Sequence, residues 1–268
     1  MNKPIAIANW KMNLTSEEEV ALVEQIKDKV KTISGVDVVI CPSFIGLSAV
    51  GEVINKTNIK LGAQDVFWQE RGPYTGAISP RAIKEAGGEY VIIGHSERRK
   101  FFGETNELIN KKIAACLDYG LTPIVCLGET LNERQDGRTD NVILGQLNEA
   151  FLNIDLVDRE EIIISYEPVW AIGTGHIAGA ETVSYVLNLI EHAIFNLWPN
   201  HIAANNLRLI YGGSVEGGRI DEFIKLDLLN GFLVGGASLD ADKFIGIINK
   251  ITAKGGPSMA EKLKITLL

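Results

Sequence analysis

The sequence has no apolar run approaching the roughly 18 residues that a membrane-spanning helix needs, so no membrane partner is expected. Positive charge is in the minority: 26 Lys and Arg stand against 34 Asp and Glu, a net charge of -8. A field of that sign repels nucleic acid and anionic surfaces, so an anionic substrate has to be captured by local groups. Cysteine is scarce as well. Cys41, Cys116 and Cys126 are odd in number, lack C-x-x-C spacing and sit in apolar surroundings, which points to reduced core thiols. The N-terminal stretch offers only Pro4 to Ala8 before Asn9, too short for the core of a secretion signal, and a cytoplasmic protein is expected. No Pro/Gly/Ser-rich linker or composition step divides the 268 residues.

What the sequence does contain is a repeated alternation. Short apolar, β-branched runs begin near Ile5, Val36, Lys60, Tyr90, Thr122, Ile162, Arg208 and Gly231. Between them lie amphipathic stretches such as Ser16 to Lys31, Asn106 to Tyr119, Gln135 to Leu152, Thr182 to Leu197 and Asp240 to Ile251. Ser16 with Glu19 reads as a capping box opening the first of these helices. Eight β-α units in about 250 residues exceed the five or six strands of a doubly wound sheet and match a closed α/β (β/α)8 TIM barrel. The barrel is expected over residues 1–254, with 255–268 as a short tail of unknown role.

In such a barrel the chemistry belongs on the loops at the C-terminal ends of the strands. Those positions hold Asn9-Trp10-Lys11, Gly94-His95-Ser96-Glu97, Tyr166-Glu167-Pro168, Gly212-Gly213-Ser214 and Gly235-Gly236. The two late glycine pairs suit an anion bound by backbone N–H groups at helix starts, and so a phosphorylated substrate; two tight βα turns are the plainer alternative. Glu167, between an apolar strand and Pro-Val-Trp, is a candidate base in a dry pocket. His95, before a polar helix start, is a candidate neutral donor, and Lys11 beside Asn9 could stabilise an oxyanion. His192 and His201 suit surface roles.

Three motifs fail on their mechanics. Gly173 to Ala178 fits G-x-G-x-x-A but lacks the acid at the end of the next strand, so no dinucleotide is expected. Gly94-His95-Ser96-Glu97-Arg98 has arginine where a nucleophile elbow needs glycine. His95-Ser96-Glu97 opens like a zinc deaminase signature, but no P-C-x-x-C follows. The connection Gln64 to Ser79 carries Phe67, Trp68 and Tyr74, which suggests a protein partner, or a loop folded back on its own barrel.

The runs Asn9-Trp10-Lys11-Met12-Asn13, Gly94 to Arg99, Tyr166 to Gly175, Tyr211 to Val215 and Leu233 to Leu239 resemble those of the triosephosphate isomerases, in the same order over about residues 4 to 251. The resemblance implies interconversion of dihydroxyacetone phosphate and D-glyceraldehyde 3-phosphate, in glycolysis and gluconeogenesis, with no metal or organic cofactor. It implies Glu167 as base, His95 as neutral electrophile, Lys11 and Asn9 as enediolate stabilisers, and Glu97 as the residue orienting them. It also implies phosphate contacts from Gly173 in a lid, Ser214, Gly235 and Gly236, and a homodimer in which the Gln64 to Ser79 loop brings Thr75 to the neighbour's active site. His176 stands where many members have lysine, and the residues from Gly255 on exceed the pattern. Two other readings remain open on these residues: an aldolase using Lys11 as a Schiff-base amine, and a non-catalytic barrel serving as an interaction protein.

Overall fold

The computed structural model describes residues 3–157, 160–172, 178–215 and 220–254. Among them eight parallel strands close into a barrel in chain order: β1 (Ile5–Asn9), β2 (Asp37–Cys41), β3 (Ile59–Ala63), β4 (Gly88–Ile93), β5 (Thr122–Leu127), β6 (Ile162–Tyr166), β7 (Leu207–Tyr211) and β8 (Gly231–Val234). The described helices are α1 (Ser16–Val30), α2 (Leu47–Ile54), α3 (Pro80–Glu85), α4 (Ser96–Phe102), α5 (Asn106–Asp118), α6 (Leu131–Gln135), α7 (Thr139–Ala150), α8 (Ala180–Leu197), α9 (Asn200–Asn206), α10 (Ile220–Phe223) and α11 (Ala241–Lys254). None of them is long and apolar enough to cross a membrane. The expected tail 255–268 lies outside the described residues.

The expected strands are all present, with ends moved by a residue or two. Two helical expectations are corrected. The stretch from Gln135 to Leu152 is not one helix, because Gly137 adopts a left-handed φ of 69° after α6 and the chain restarts at Thr139. The capping box of α1 is Thr15 with Glu18, one residue earlier than Ser16 with Glu19. Thr15 is extended and accepts from the Glu18 N–H, while the Glu18 carboxylate accepts from Thr15 N–H at 2.8 Å. Glu19 instead turns inward, buried, and accepts from Ser43 N–H at 2.6 Å.

Strand alternation divides the core in two. Ile5, Ile7, Val39, Cys41, Ile92, Ile124, Cys126, Ile163, Ile210 and Leu233 fill the barrel interior. Their neighbours, such as Ala6, Ala8, Val38, Ile40 and Val125, pack outward against the helices. The inward parity 5, 7, 9 on β1 and 163, 165, 167 along β6 carries Asn9 and Glu167 to the same rim. At the opposite end Arg208 closes the barrel: Nη1 donates to Asp37 Oδ2 at 2.7 Å and Lys3 O at 3.1 Å, and Nη2 to Glu161 Oε2 at 2.6 Å.

Candidate active site

Each polar residue at the rim is held by backbone that the local sequence dictates. Lys11 has a φ of 54°, a conformation costly for a residue with a Cβ. It is fixed from both sides: Lys11 N–H donates to Asn9 Oδ1 at 3.1 Å, and Gln64 Nε2 donates to Lys11 O at 2.8 Å. The ammonium then pairs with Glu97 Oε1 at 2.7 Å, joining the first and fourth loops. A Cβ on Gly235 would sit 3.6 Å from Lys11 Cε, so the eighth loop lies against the same side chain.

His95 caps α4 from a position immediately after Gly94, whose φ of 72° makes the turn out of β4. Glu97 N–H donates to His95 Nδ1 at 3.2 Å. This backbone donor assigns the lone pair to Nδ1 and the proton of a neutral ring to Nε2. Nε2 lies 3.4 Å from Glu167 Oε1.

Glu167 is 1% exposed. Ser96 N–H donates to Oε2 at 3.1 Å, while Oε1 is buried without a hydrogen-bond partner. Backbone contacts fix its origin: Glu167 N–H donates to Leu127 O at 2.7 Å, and a Cβ on Gly128 would fall 1.7 Å from Glu167 O, so only glycine fits beside it. Cys126 faces the carboxylate. Burial first, and then the neighbouring Glu167 charge, push the Cys126 thiol well above its ordinary pKa, leaving it a protonated neighbour rather than a nucleophile.

A cavity of about 320 Å³ opens above these groups, lined among others by Asn9, Lys11, His95, Glu97, Gly212, Ser214, Gly235 and Gly236. Glu167 stands behind it rather than in its wall. Ser214 Oγ–H donates to Ala171 O at 3.2 Å, linking the seventh loop to the segment after Glu167. That segment is anchored by Trp170 Nε1–H donating to buried Glu129 Oε1 at 2.9 Å, with the Arg134 guanidinium 4.7 Å over the indole ring. Gly173 and His176 lie outside the described residues. His192 and His201 are exposed, as expected. Among the described residues no cluster of His, Cys, Asp or Glu has metal-binding geometry.

The residues read from sequence at strand ends thus converge: Asn9, Lys11, His95, Glu97 and Glu167 at one rim, with Ser214, Gly235 and Gly236 across the cavity. Sequence reasoning missed Gln64, Ser96, Cys126 and Glu129 as their supports. Cys126 carried a signal, since alternation along β5 turns it inward at the same rim.

The triosephosphate isomerase family model matches residues 4–251. The chain belongs to the triosephosphate isomerase family. Named triosephosphate isomerases include that of Thermoanaerobacter pseudethanolicus, 47% identical over 249 residues, covering 93% of this chain and all of the relative. That of Dictyoglomus thermophilum is 44% identical over 248 residues, covering 92% and 99%. That of Clostridium tetani is 42% identical over 249 residues, covering 93% and 97%. The chain is therefore an isomerase that interconverts dihydroxyacetone phosphate and D-glyceraldehyde 3-phosphate, a step of glycolysis. Any isomerisation of this kind needs a base, a donor to the carbonyl oxygen, a fixed positive charge and a phosphate grip. The isomerase has candidates for the last three in the wall of the cavity and, in Glu167, a candidate for the first directly behind it.

Proposed function

We propose that Glu167 is the base that moves the proton between the two carbons, with His95 as the neutral donor to the carbonyl. Glu167 takes a proton from C1 of dihydroxyacetone phosphate while His95 Nε2–H hydrogen-bonds the C2 carbonyl oxygen, giving an enediolate. Lys11 and Asn9 stabilise the negative charge on its oxygens. Return of the proton to C2, with the hydroxyl proton passing from O1 to O2, leaves the aldehyde at C1 and a hydroxyl at C2, so no atom is gained or lost. Glu97 orients the Lys11 ammonium through its 2.7 Å ion pair. Ser214, Gly235, Gly236 and Gly173 grip the phosphate, which the negative overall charge would otherwise repel. Exclusion of water by closure of the lid protects the enediolate.

The observation that carries this reading is the unpartnered Glu167 Oε1, 3.4 Å from His95 Nε2. A buried carboxylate oxygen without a donor costs stability and is kept only where another use offsets that cost. The test is a coupled isomerase assay: Glu167→Gln is expected to lose about 10²- to 10⁴-fold in kcat. Activity equal to the starting protein would remove Glu167 from the base role.

The active form proposed is a homodimer built through the Gln64 to Ser79 loop. Residues 71–77 of that loop, Thr75 included, are exposed in the single chain. Met12 and Ile45, on the first and second loops, and Phe101 and Phe102, at the end of α4, are 94, 86, 68 and 69% exposed, and Phe102 lines a cavity with Phe67, Trp68 and Ala77 of the loop. Large apolar groups exposed at this end of the barrel mark a surface meant to be covered. Sedimentation of Thr75→Arg tests this, with a shift to monomer and loss of activity expected; an unchanged dimer with full activity would contradict it. A cytoplasmic location suits the three unpaired buried thiols. Residues 1–254 form the catalytic domain in this reading, and 255–268 carry no assigned role.

A further inference from the structure

Arg99, on the last turn of α4, points back under the site rather than out to solvent. Its fork donates from Nε to Gly94 O at 2.8 Å, from Nη2 to Cys126 O at 3.1 Å and from Nη1 to Asn106 Oδ1 at 2.6 Å. All three acceptors are neutral, and among the described residues no carboxylate pairs with it. Burial, unrelieved by a direct ion pair, pulls its pKa below the ordinary arginine value. A long charged side chain held this way costs free energy, so its location calls for a physical reason.

The reason lies in what its two backbone acceptors support. The β4–β5 ladder is paired as far as Ile93 with Val125. Gly94 O and Cys126 O are the next carbonyls on the two strands, and Arg99 bridges them with the planar spacing of a guanidinium. One carbonyl belongs to the residue before His95. The other belongs to Cys126, whose thiol meets Glu167 and which leads through Leu127 and Gly128 into the backbone contacts of Glu167. Besides the direct bond from Ser96 N–H to Glu167 Oε2, a second chain of covalent and hydrogen bonds from His95 to Glu167 therefore passes through Arg99, and it sets the backbone rather than the side-chain ends.

We propose that Arg99 is a positioning residue for the isomerisation, fixing the separation of His95 and Glu167 by clamping the carbonyl ends of β4 and β5. The inference rests on the roles given above to those two residues. It predicts damage to the chemical step without damage to phosphate binding, because Ser214, Gly235 and Gly236 hang from β7 and β8.

Arg99→Met and Arg99→Lys separate geometry from bulk and charge. Arg99→Met is expected to lower kcat by about 100-fold, the scale of a misplacement of about 1 Å between reacting groups. KM and competitive inhibition by inorganic phosphate should stay within about twofold. Arg99→Lys keeps the charge but cannot bridge both carbonyls, so it should recover only part of the loss. Guanidinium added to Arg99→Ala should restore activity in a saturable way, and it covers the case in which Met or Lys disturbs folding. Retention of kcat within about threefold in both Arg99→Met and Arg99→Lys would overturn the inference. So would parallel loss of kcat and phosphate inhibition, with no guanidinium rescue. Glu167→Gln assayed alongside keeps the outcomes distinct: full activity there defeats the base assignment, whereas its loss with intact Arg99 variants defeats only the clamp.

Discussion

At the N-terminal end of the strands Arg208 is buried with every guanidinium nitrogen close to an acceptor, whereas at the C-terminal end Glu167 is buried with one oxygen left alone. Burial works against the Arg208 charge, yet its hydrogen bonds and ion pair with Glu161, aided by Tyr90 and Asp37, hold its pKa above the ordinary value. Nε meets Glu161 Oε1 too, at an angle that misses hydrogen-bond geometry. The same barrel thus completes its charge pairing at one end and leaves it incomplete at the end proposed to bind substrate. Satisfied charge at one end holds the strands together, and unsatisfied charge at the other is, in the proposed mechanism, available to the reaction.

The contrast is broken most severely by exchanging the unpaired group. Glu167→Gln should cost about 10²- to 10⁴-fold in activity while leaving thermal stability unchanged or higher, since no partner of Oε1 is lost. A clear fall in melting temperature would mean that this end, too, is built for stability.

The opposite result is expected from Arg208→Met. It strands Asp37 and Glu161, which are 30 and 23% exposed and so partly solvated. Removing one member of a buried pair costs about 3 to 5 kcal/mol, and the partial exposure here places the loss near about 3 kcal/mol. Urea unfolding measures it. Turnover per folded molecule should be unchanged, because the substitution lies at the far end of the barrel. A loss of kcat comparable to that of Glu167→Gln would dissolve the distinction between the two ends.

How much of this was legible in the sequence follows the range of the interactions. The parities 5, 7, 9 and 163, 165, 167 are local, so the rim positions of Asn9 and Glu167 could be read from alternation alone. His95 was marked by Gly94 before it and a helix start after it. The Lys11–Glu97 ion pair spans 86 residues, and the Gln64 bond to Lys11 O spans 53; no local pattern encodes either. Cys126 read correctly as a core thiol, but its place against Glu167 depends on β5 and β6 lying side by side. The capping box slipped by one residue because Thr15/Glu18 and Ser16/Glu19 both satisfy the S/T-x-x-E pattern. Only the tertiary contact of Glu19 with Ser43 decides between them.

That same Glu19 offers the smallest and most specific test of buried charge at the catalytic end. Its carboxylate accepts from Ser43 N–H and Oγ–H, but desolvation outweighs these bonds and raises its pKa above the ordinary value of 4.5. An acid whose folded pKa is raised binds its proton more tightly in the native state than in the unfolded chain. As pH climbs from about 4.5 through the folded value, the unfolded chain releases its proton first and stability falls; above that window the cost is constant. Glu19→Gln removes the titration while keeping an oxygen for Ser43. The variant should therefore gain stability relative to the starting protein as pH rises from 4.5, by an amount that levels off before neutrality. Urea midpoints for the two proteins across this range provide the measurement, and a constant difference throughout would show that Ser43 fully compensates the burial of Glu19.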